Sequence, residues 1–321
     1  MTAAGGQKGM ALLVVLVIVA LLTTLTLELA FSTLVDLRLT ETFRDRTRAY
    51  YLARGGITAG RMFLQEDGNA YDSRHERWAQ EIINYPAAEG AVSIAIEDLN
   101  GRLAINELVR QNNAQAFVVD RFYRFFAALG IEHLADPAEL TAALIDWLDE
   151  DDDPYQLIRT DNLNIPVVGA ENPAYQHGQS PSSCKNGPLD SLEELLLVRG
   201  FTRQVVEIAA PHLTVNGDTR ININTASDKV LMSLDSLISK EVAATLIERR
   251  EQAPIKSISE LADLLPNRTY SVLKSLANQH QLTTTSSFYR ITSEGSIADG
   301  KQRLVAEVDK RDNTLLLIKV D

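Results

Sequence analysis

From Met10 to Leu27 the chain reads MALLVVLVIVALLTTLTL without a charge, and the first acidic residue is Glu28. A helix of about 20 apolar residues crosses the roughly 30 Å of bilayer hydrocarbon. Carried on through Leu29, Ala30 and Phe31, the run predicts a transmembrane helix over residues 10–33. Past the run, Phe31, Leu34, Val35, Leu39, Phe43, Tyr50 and Ile57 fall near helical spacing with charges between them. That pattern continues the helix in amphipathic form. Gly55-Gly56 is expected to interrupt it and Gly68-Asn69 to end it. After Pro86 the period changes to two: Val92, Ile94 and Ile96 alternate with small or polar residues, which predicts a strand. Asp98-Leu99-Asn100-Gly101 supplies a turn, and Leu103 and Ile105 suggest a returning strand.

From Ala114 to Leu129 the pattern is helical again, with Phe117, Val118, Phe122, Phe125 and Phe126 on one broad face; an aromatic stripe of this kind reads as core. A second helix is predicted over Pro137–Leu148, and residues 161–188, rich in Asn, Pro, Gly and Ser, read as a long loop. Strand patterns return at the end. Tyr289 and Ile291 share one face, and Arg303–Val308 and Leu315–Val320 form a hairpin around Asp312-Asn313. The fold class is therefore α+β, with one sheet built from residues on either side of a helical insert.

Charge and composition narrow the chemistry. The 321 residues carry a net charge of −12, against the basic surface that phosphate backbones require. The lone Cys184 permits no internal disulfide; it reads as a small buried hydrophobe. Asp146, Asp149, Glu150, Asp151, Asp152 and Asp153 place six carboxylates in eight positions, between an apolar helix and Pro154. Hard cations such as calcium take about 6–8 oxygen ligands of this kind; the alternative is a solvated acidic loop. An EF-hand is excluded, because counting from Asp149 its Gly and Glu positions hold Pro154 and Thr160. A glycosidase pair across a cleft does not fit one crowded loop. His133, His177 and His212 are too scattered for a zinc site. No nucleophile–base constellation is apparent.

The segment before the apolar run decides its fate. A cleaved secretory signal has an apolar region of about 7–15 residues and a small-x-small cut site. Here the run is longer, and the nearest match, Glu28-Leu29-Ala30, sets a carboxylate beside the cut. No Cys directly follows the run, which excludes a lipoprotein. The leader MTAAGGQKG ends in Gly9 before Met10. It resembles the leader of type IV pilins and pseudopilins, which prepilin peptidase removes on the cytoplasmic side. The resemblance implies cleavage between Gly9 and Met10 with the apolar helix retained. Arg38, Arg44, Arg46 and Arg48 beyond the helix would by themselves favour the reverse orientation; the leader fixes it. The fifth mature position is Val14, where pilins usually carry Glu.

Absence of that Glu is a mark of the K-type minor pseudopilins of the bacterial type II secretion system, and three further segments resemble that family. Asp98–Arg102 with Asn106 resembles its DLNGR segment, departing at Ala104. Asp146, Trp147, Asp149, Asp151, Pro154, Gly169, Ala170, Glu171 and Tyr175 follow its acidic calcium-binding pattern. Asn222-Ile223-Asn224-Thr225-Ala226 opens a helix-hairpin-helix segment. The resemblance implies calcium at Asp146, Asp149, Asp151 and Glu171. It implies a pilin-like α/β core (residues 34–113 and 281–321) with a degenerate helix-hairpin-helix, SAM-like insert (114–280), after a leader at 1–9. It also implies a single-pass inner-membrane protein with a periplasmic C-terminal domain. Such a protein acts structurally and not as an enzyme, at the pseudopilus tip, with I-type and J-type minor pseudopilins, the major subunit and prepilin peptidase as partners.

An internal echo, P-h-x-S-h-x-E-L, spans Pro188–Leu195 and Pro254–Leu261, and each Ser is expected to cap a helix through a capping box. In nucleic-acid-binding hairpins a Gly-h-Gly bares backbone amides; here those positions are Ser236 and Ile238. A membrane-anchored DNA receptor of the competence type is the alternative reading, and nucleic acid is not expected as a partner.

Overall fold

The structure is a computed structural model that describes residues 7–158, 166–176 and 183–320. Leader residues 1–6, His177 and parts of the 161–188 loop lie outside the described residues.

Helix α1 runs unbroken from Gln7 to Glu66. At 1.5 Å per residue, its 60 residues extend about 90 Å. Every residue from Gly9 to Thr40 is exposed, and among the described residues α1 is the one helix long and apolar enough to cross a membrane. Its second half buries Ala49, Ala53, Ile57 and Leu64 against a sheet. The expected interruption at Gly55-Gly56 does not occur. A mid-helix glycine costs about 1 kcal/mol relative to Ala, but Gly56 faces the sheet, where an added Cβ would sit 2.1 Å from Ser293 Oγ. Close packing outweighs the local cost. The predicted end before Gly68 holds.

The sheet is antiparallel: β1 (Ile82–Ala87), β2 (Gly90–Asp98), β3 (Phe288–Ile297), β4 (Gly300–Asp309) and β5 (Thr314–Val320), in that spatial order. β2 and β3 are neighbours, with Ile291 opposite Ile96 and Tyr289 opposite Asp98, so everything between them in sequence is an excursion from the sheet. Val92, Ile94 and Ile96 from β2, Tyr289 and Ile291 from β3, and Leu304, Ala306 and Val308 from β4 alternate toward α1 and form one apolar cluster. β1 was not legible, because Asn84 and Pro86 break its pattern. Leu103 and Ile105 do not return to the sheet. Leu103–Ala104 pairs in parallel with Leu213–Thr214, and a 3-10 turn follows at Ile105–Leu108.

Two glycines set the helix–sheet spacing. A Cβ on Gly295 would lie 2.2 Å from the Ala49 carbonyl oxygen, and one on Gly300 2.5 Å from the carbonyl carbon of Asp45. Because the obstacle is backbone, Gly295→Ala should cost about 1–3 kcal/mol by overpacking, measured by urea denaturation; an unchanged midpoint would mean that α1 packs more loosely.

The second cluster contains Leu103, Ile105 and Leu108 and extends to Leu282. It is built around α2 (Ala116–Ala128), α3 (Pro137–Leu148), the single turn α4 (Asn172–Tyr175), α5 (Arg203–Ala209), α6 (Asp228–Leu234), α7 (Lys240–Gln252) and α8 (Asn267–Asn278). Phe122, Phe125 and Phe126 of α2 are fully buried, with ring centroids 5.2–6.5 Å apart. The aromatic stripe is core, as expected, apart from Phe117 at its border. The echoed segments are 3-10 turns, Leu192–Leu197 and Ile258–Leu261. In the Ser191–Glu194 capping box Ser191 N donates to Glu194 Oε1 at 3.1 Å. Ser257 caps its turn through Ser259 N, while Glu260 pairs with Arg249 at 3.3 Å.

Candidate metal centre and the polar seam

Helix α3 carries two of the acidic side chains. Asp136 caps it, accepting from Ala138 N at 2.8 Å, and Pro137 starts it with its φ already helical. Of its residues only Glu139 is exposed, so Asp146 lies in a fully buried last turn, and Asp149 follows as the C-cap. The chain then reverses through the acidic loop into a hairpin in which Leu157 pairs with Val167. The hairpin brings Gly169, Ala170 and Glu171 under the helix end. Asp146 Oδ1 accepts from Tyr155 N at 2.7 Å, and the Ala170 amide also supports this carboxylate. A Cβ on Gly169 would stand 2.0 Å from Asp146 Oδ2, so any other residue there would push this carboxylate out of place.

Carboxylate oxygens of Asp146, Asp149 and Glu171 lie within 4.8 Å of one another, and all three residues are buried. Among the described residues, Asp146 Oδ2, Asp149 Oδ1 and both Glu171 oxygens have no hydrogen-bond donor. Buried acceptors normally have partners. Burial, with neighbouring carboxylates adding to it, pushes Asp146 up to about 6 and Asp149 and Glu171 up to about 7. Three orphaned carboxylates against one another fit a cation that binds through oxygen, as calcium does. Cys184 does not serve as a thiolate ligand: burial pushes its thiol up to about 11, and its Sγ donates to the Asp146 carbonyl at 3.2 Å.

Asp151 stands apart from the other three. It is exposed; its Oδ1 accepts from Asp153 N at 3.0 Å, and its Oδ2 from Asn112 Nδ2 at 3.4 Å. Its charge acts on Asp149 across space. Asn186, which sequence reasoning did not single out, ties the Asp151 carbonyl at 2.9 Å, and its own Oδ1 is buried without a donor among the described residues. A second acidic trio, Asp67, Asp72 and Glu76, already holds a cation of the chain's own. Lys310 Nζ lies 2.8 Å from Asp67 and 3.1 Å from Asp72, and Glu76 accepts from Ser73 N and Trp78 Nε1.

The two asparagine-rich motifs meet each other in a buried seam between sheet and insert. Asp98 accepts from Asn100 N at 2.7 Å, Asn222 Nδ2 at 3.0 Å, Thr225 Oγ1 at 2.5 Å and Ser286 Oγ at 2.6 Å. Asn100 Oδ1 accepts from Ser287 N and Phe288 N, holding the start of β3. Asn224 bonds both the amide and the carbonyl of Ile255. Gly101 packs on Thr225, leaving 2.8 Å for a Cβ.

In the hairpin between α6 and α7 the Ile238 amide, one of the two positions in question, is bonded, and so is that of Leu237 between them. Leu237 N donates to Asp235 Oδ1 at 2.9 Å and Ile238 N to the Asp235 carbonyl at 3.0 Å, while the Ile238 side chain is buried. A phosphate would have to displace these bonds. Ser227 Oγ and His212 Nδ1 lie 2.8 Å apart, but the hydroxyl is the N-cap of α6. At the other end of the molecule, Gly9 and Met10 are exposed residues at the start of α1.

Residues 101–218 and 221–283 match the family described as type II secretion system (T2SS), protein K. The chain is 30% identical over 256 residues to the type II secretion system protein K of Klebsiella pneumoniae, covering 76% of this chain and 74% of the relative. The protein K of Pseudomonas aeruginosa is 25% identical over 314 residues, 95% of this chain and 89% of that relative. A chain in the crystal structure of the GspK-GspI-GspJ complex from the type 2 secretion system of enterotoxigenic Escherichia coli shares the fold. It has a TM-score of 0.62 at 15% identity, over 88% of this chain and 99% of that one.

Proposed function

The chain belongs to the type II secretion system protein K family of minor pseudopilins, and on that premise we propose that it sits at the tip of a periplasmic pseudopilus and promotes the assembly that exports folded proteins. The observation that carries this reading is α1 itself: an exposed apolar half long enough to cross a membrane, continuous with a half locked onto a sheet. One such rod carries a bilayer anchor and a rigid head, as a subunit extracted from a membrane into a filament requires. Prepilin peptidase cuts between Gly9 and Met10, and the retained anchor leaves the head in the periplasm.

Val14 lies on the exposed apolar face of α1. A carboxylate there would be costly in hydrocarbon unless paired with a neighbour's terminal amine; valine asks for no neighbour above, which suits a terminal subunit. The insert between β2 and β3 adds bulk that obstructs further stacking. The role is structural, and calcium held by Asp146, Asp149 and Glu171 ties the acidic loop to the insert. The DNA-receptor alternative is not favoured, since the Leu237 and Ile238 amides are already bonded and the Ile238 side chain is buried.

I-type and J-type minor pseudopilins and the major subunit are the partners. The full-length chain in detergent should form a one-to-one-to-one complex with the soluble I-type and J-type domains, read by light scattering, and should not polymerise alone. Failure to bind either domain, with salt-sensitive binding of duplex DNA instead, would replace this reading with the receptor.

A further inference from the structure

The two edges of the sheet are unlike. At β1, Pro86 offers no amide, Asn84 sits at φ 50°, and the register with β2 slips between Ile82 and Tyr85. Proline and irregular pairing protect an edge from further strands. At β5 all seven residues are exposed, and Leu315, Leu316, Leu317, Ile318 and Val320 each leave 37–53% of their surface open. The single irregularity is the extra residue Leu316; from Leu317 to Val320 the ladder with β4 is regular. Leu315, Ile318 and Val320 point to the α1 side and Leu317 and Lys319 to the other, because they pair with alternate residues of β4. On that other side Leu317 and Lys319 border a cavity of about 720 Å³, whose far wall is Asp190–Glu193 of the insert. Arg303 lines the same cavity, and Lys301 and Arg303 are both exposed on β4.

We propose that β5 receives a sixth strand from a different protein, a subunit anchored in the same membrane. That strand would be aliphatic toward α1 and polar toward the cavity, whose lining mixes Arg290 and Arg303 with Glu97, Glu193 and Glu307. A second copy of this chain does not suit the site. Two β5 edges pair symmetrically only when antiparallel, about a two-fold axis perpendicular to the sheet. Since α1 lies flat on the sheet, that axis would turn the two apolar helices in opposite directions, and one membrane cannot hold both. A heterologous strand meets no such conflict. Main-chain bonds would give affinity, and the cavity would select alternate side chains. The inference deepens the tip reading and rests on it for the source of the strand, the I-type or J-type domain.

Amide hydrogen exchange on the full-length chain in detergent, with and without the soluble I-type and J-type domains, tests this. Alternate amides of Leu317–Val320 should slow at least about tenfold in the complex, while the β1 edge stays unchanged. Ile318→Lys, at an exposed position, should keep the melting temperature and weaken the complex at least about tenfold. A complex that forms with no protection at 314–320 would overturn the inference and leave the tip reading intact. No complex at all would overturn both. Homodimers cross-linked through Leu317→Cys would put a second copy on the edge and overturn it as well.

Discussion

Calcium added at pH 8 to a chelator-treated chain should raise its stability by about 2.7 kcal/mol once the free ion exceeds its Kd a hundredfold, and Glu171→Gln should abolish the gain. The pH dependence of the cation-free chain follows from the same cluster. Folding raises Asp146, Asp149 and Glu171 above their ordinary values of 3.8, 3.8 and 4.5, chiefly by burial. A carboxyl that holds its proton more tightly when folded stabilises the fold fully below about pH 4, and that contribution is lost as pH rises through 6 to 7. For Asp149 the rise from 3.8 to about 7, at 1.36 kcal/mol per unit, is on the order of 4 kcal/mol. The cation-free chain should therefore lose stability as pH rises from about 5 toward 8. Glu171→Gln should flatten that slope, making the cation-free variant more stable than the parent at pH 8. Asp151→Ala should retain most of the calcium gain, since Asp151 lies outside the orphaned set. A melting temperature indifferent to calcium would leave only a solvated acidic loop.

The second large effect belongs to the seam. Asp98→Ala takes an acceptor from four donors, of which Asn222 Nδ2 alone keeps others, at Asp72 and Ser286. At about 1–3 kcal/mol for each unsatisfied group, partly relieved by rearrangement, the expected loss is about 3–5 kcal/mol in urea denaturation. The chain has two tryptophans: Trp78 lies in the sheet cluster and Trp147 in the insert cluster. Their fluorescence should report one coincident transition in the parent chain. In Asn222→Ala, which removes the donor shared among Asp72, Asp98 and Ser286, the transitions should separate. Coincident transitions in the variant would mean that apolar contact alone couples the two clusters.

Much of this organisation is written in periodicity. The α1 face, the alternation of Val92, Ile94 and Ile96, and the bounds of α3 are local signals, and the structure follows them. What was not legible is tertiary. Gly55-Gly56 looks like a break because the sheet it packs on comes from residues beyond position 288 in sequence. Leu103 and Ile105 look like a returning strand because alternation does not reveal that they join a second core. In the acidic run, sequence supplies six equivalent carboxylates, and only the hairpin that brings Glu171 under α3 separates Asp146 and Asp149 from Asp151. The asparagine motifs resemble a nucleic-acid module in outline, yet their side chains are consumed in joining two halves of one protein.

The central claim is that this chain is processed and anchored as a pseudopilin. The intact mass of the chain extracted from membranes tests it most directly. The account predicts a mature protein beginning at Met10, with or without N-terminal methylation, and an uncut chain for Gly9→Leu. A mature N-terminus after Ala30, or normal processing of Gly9→Leu, would contradict it.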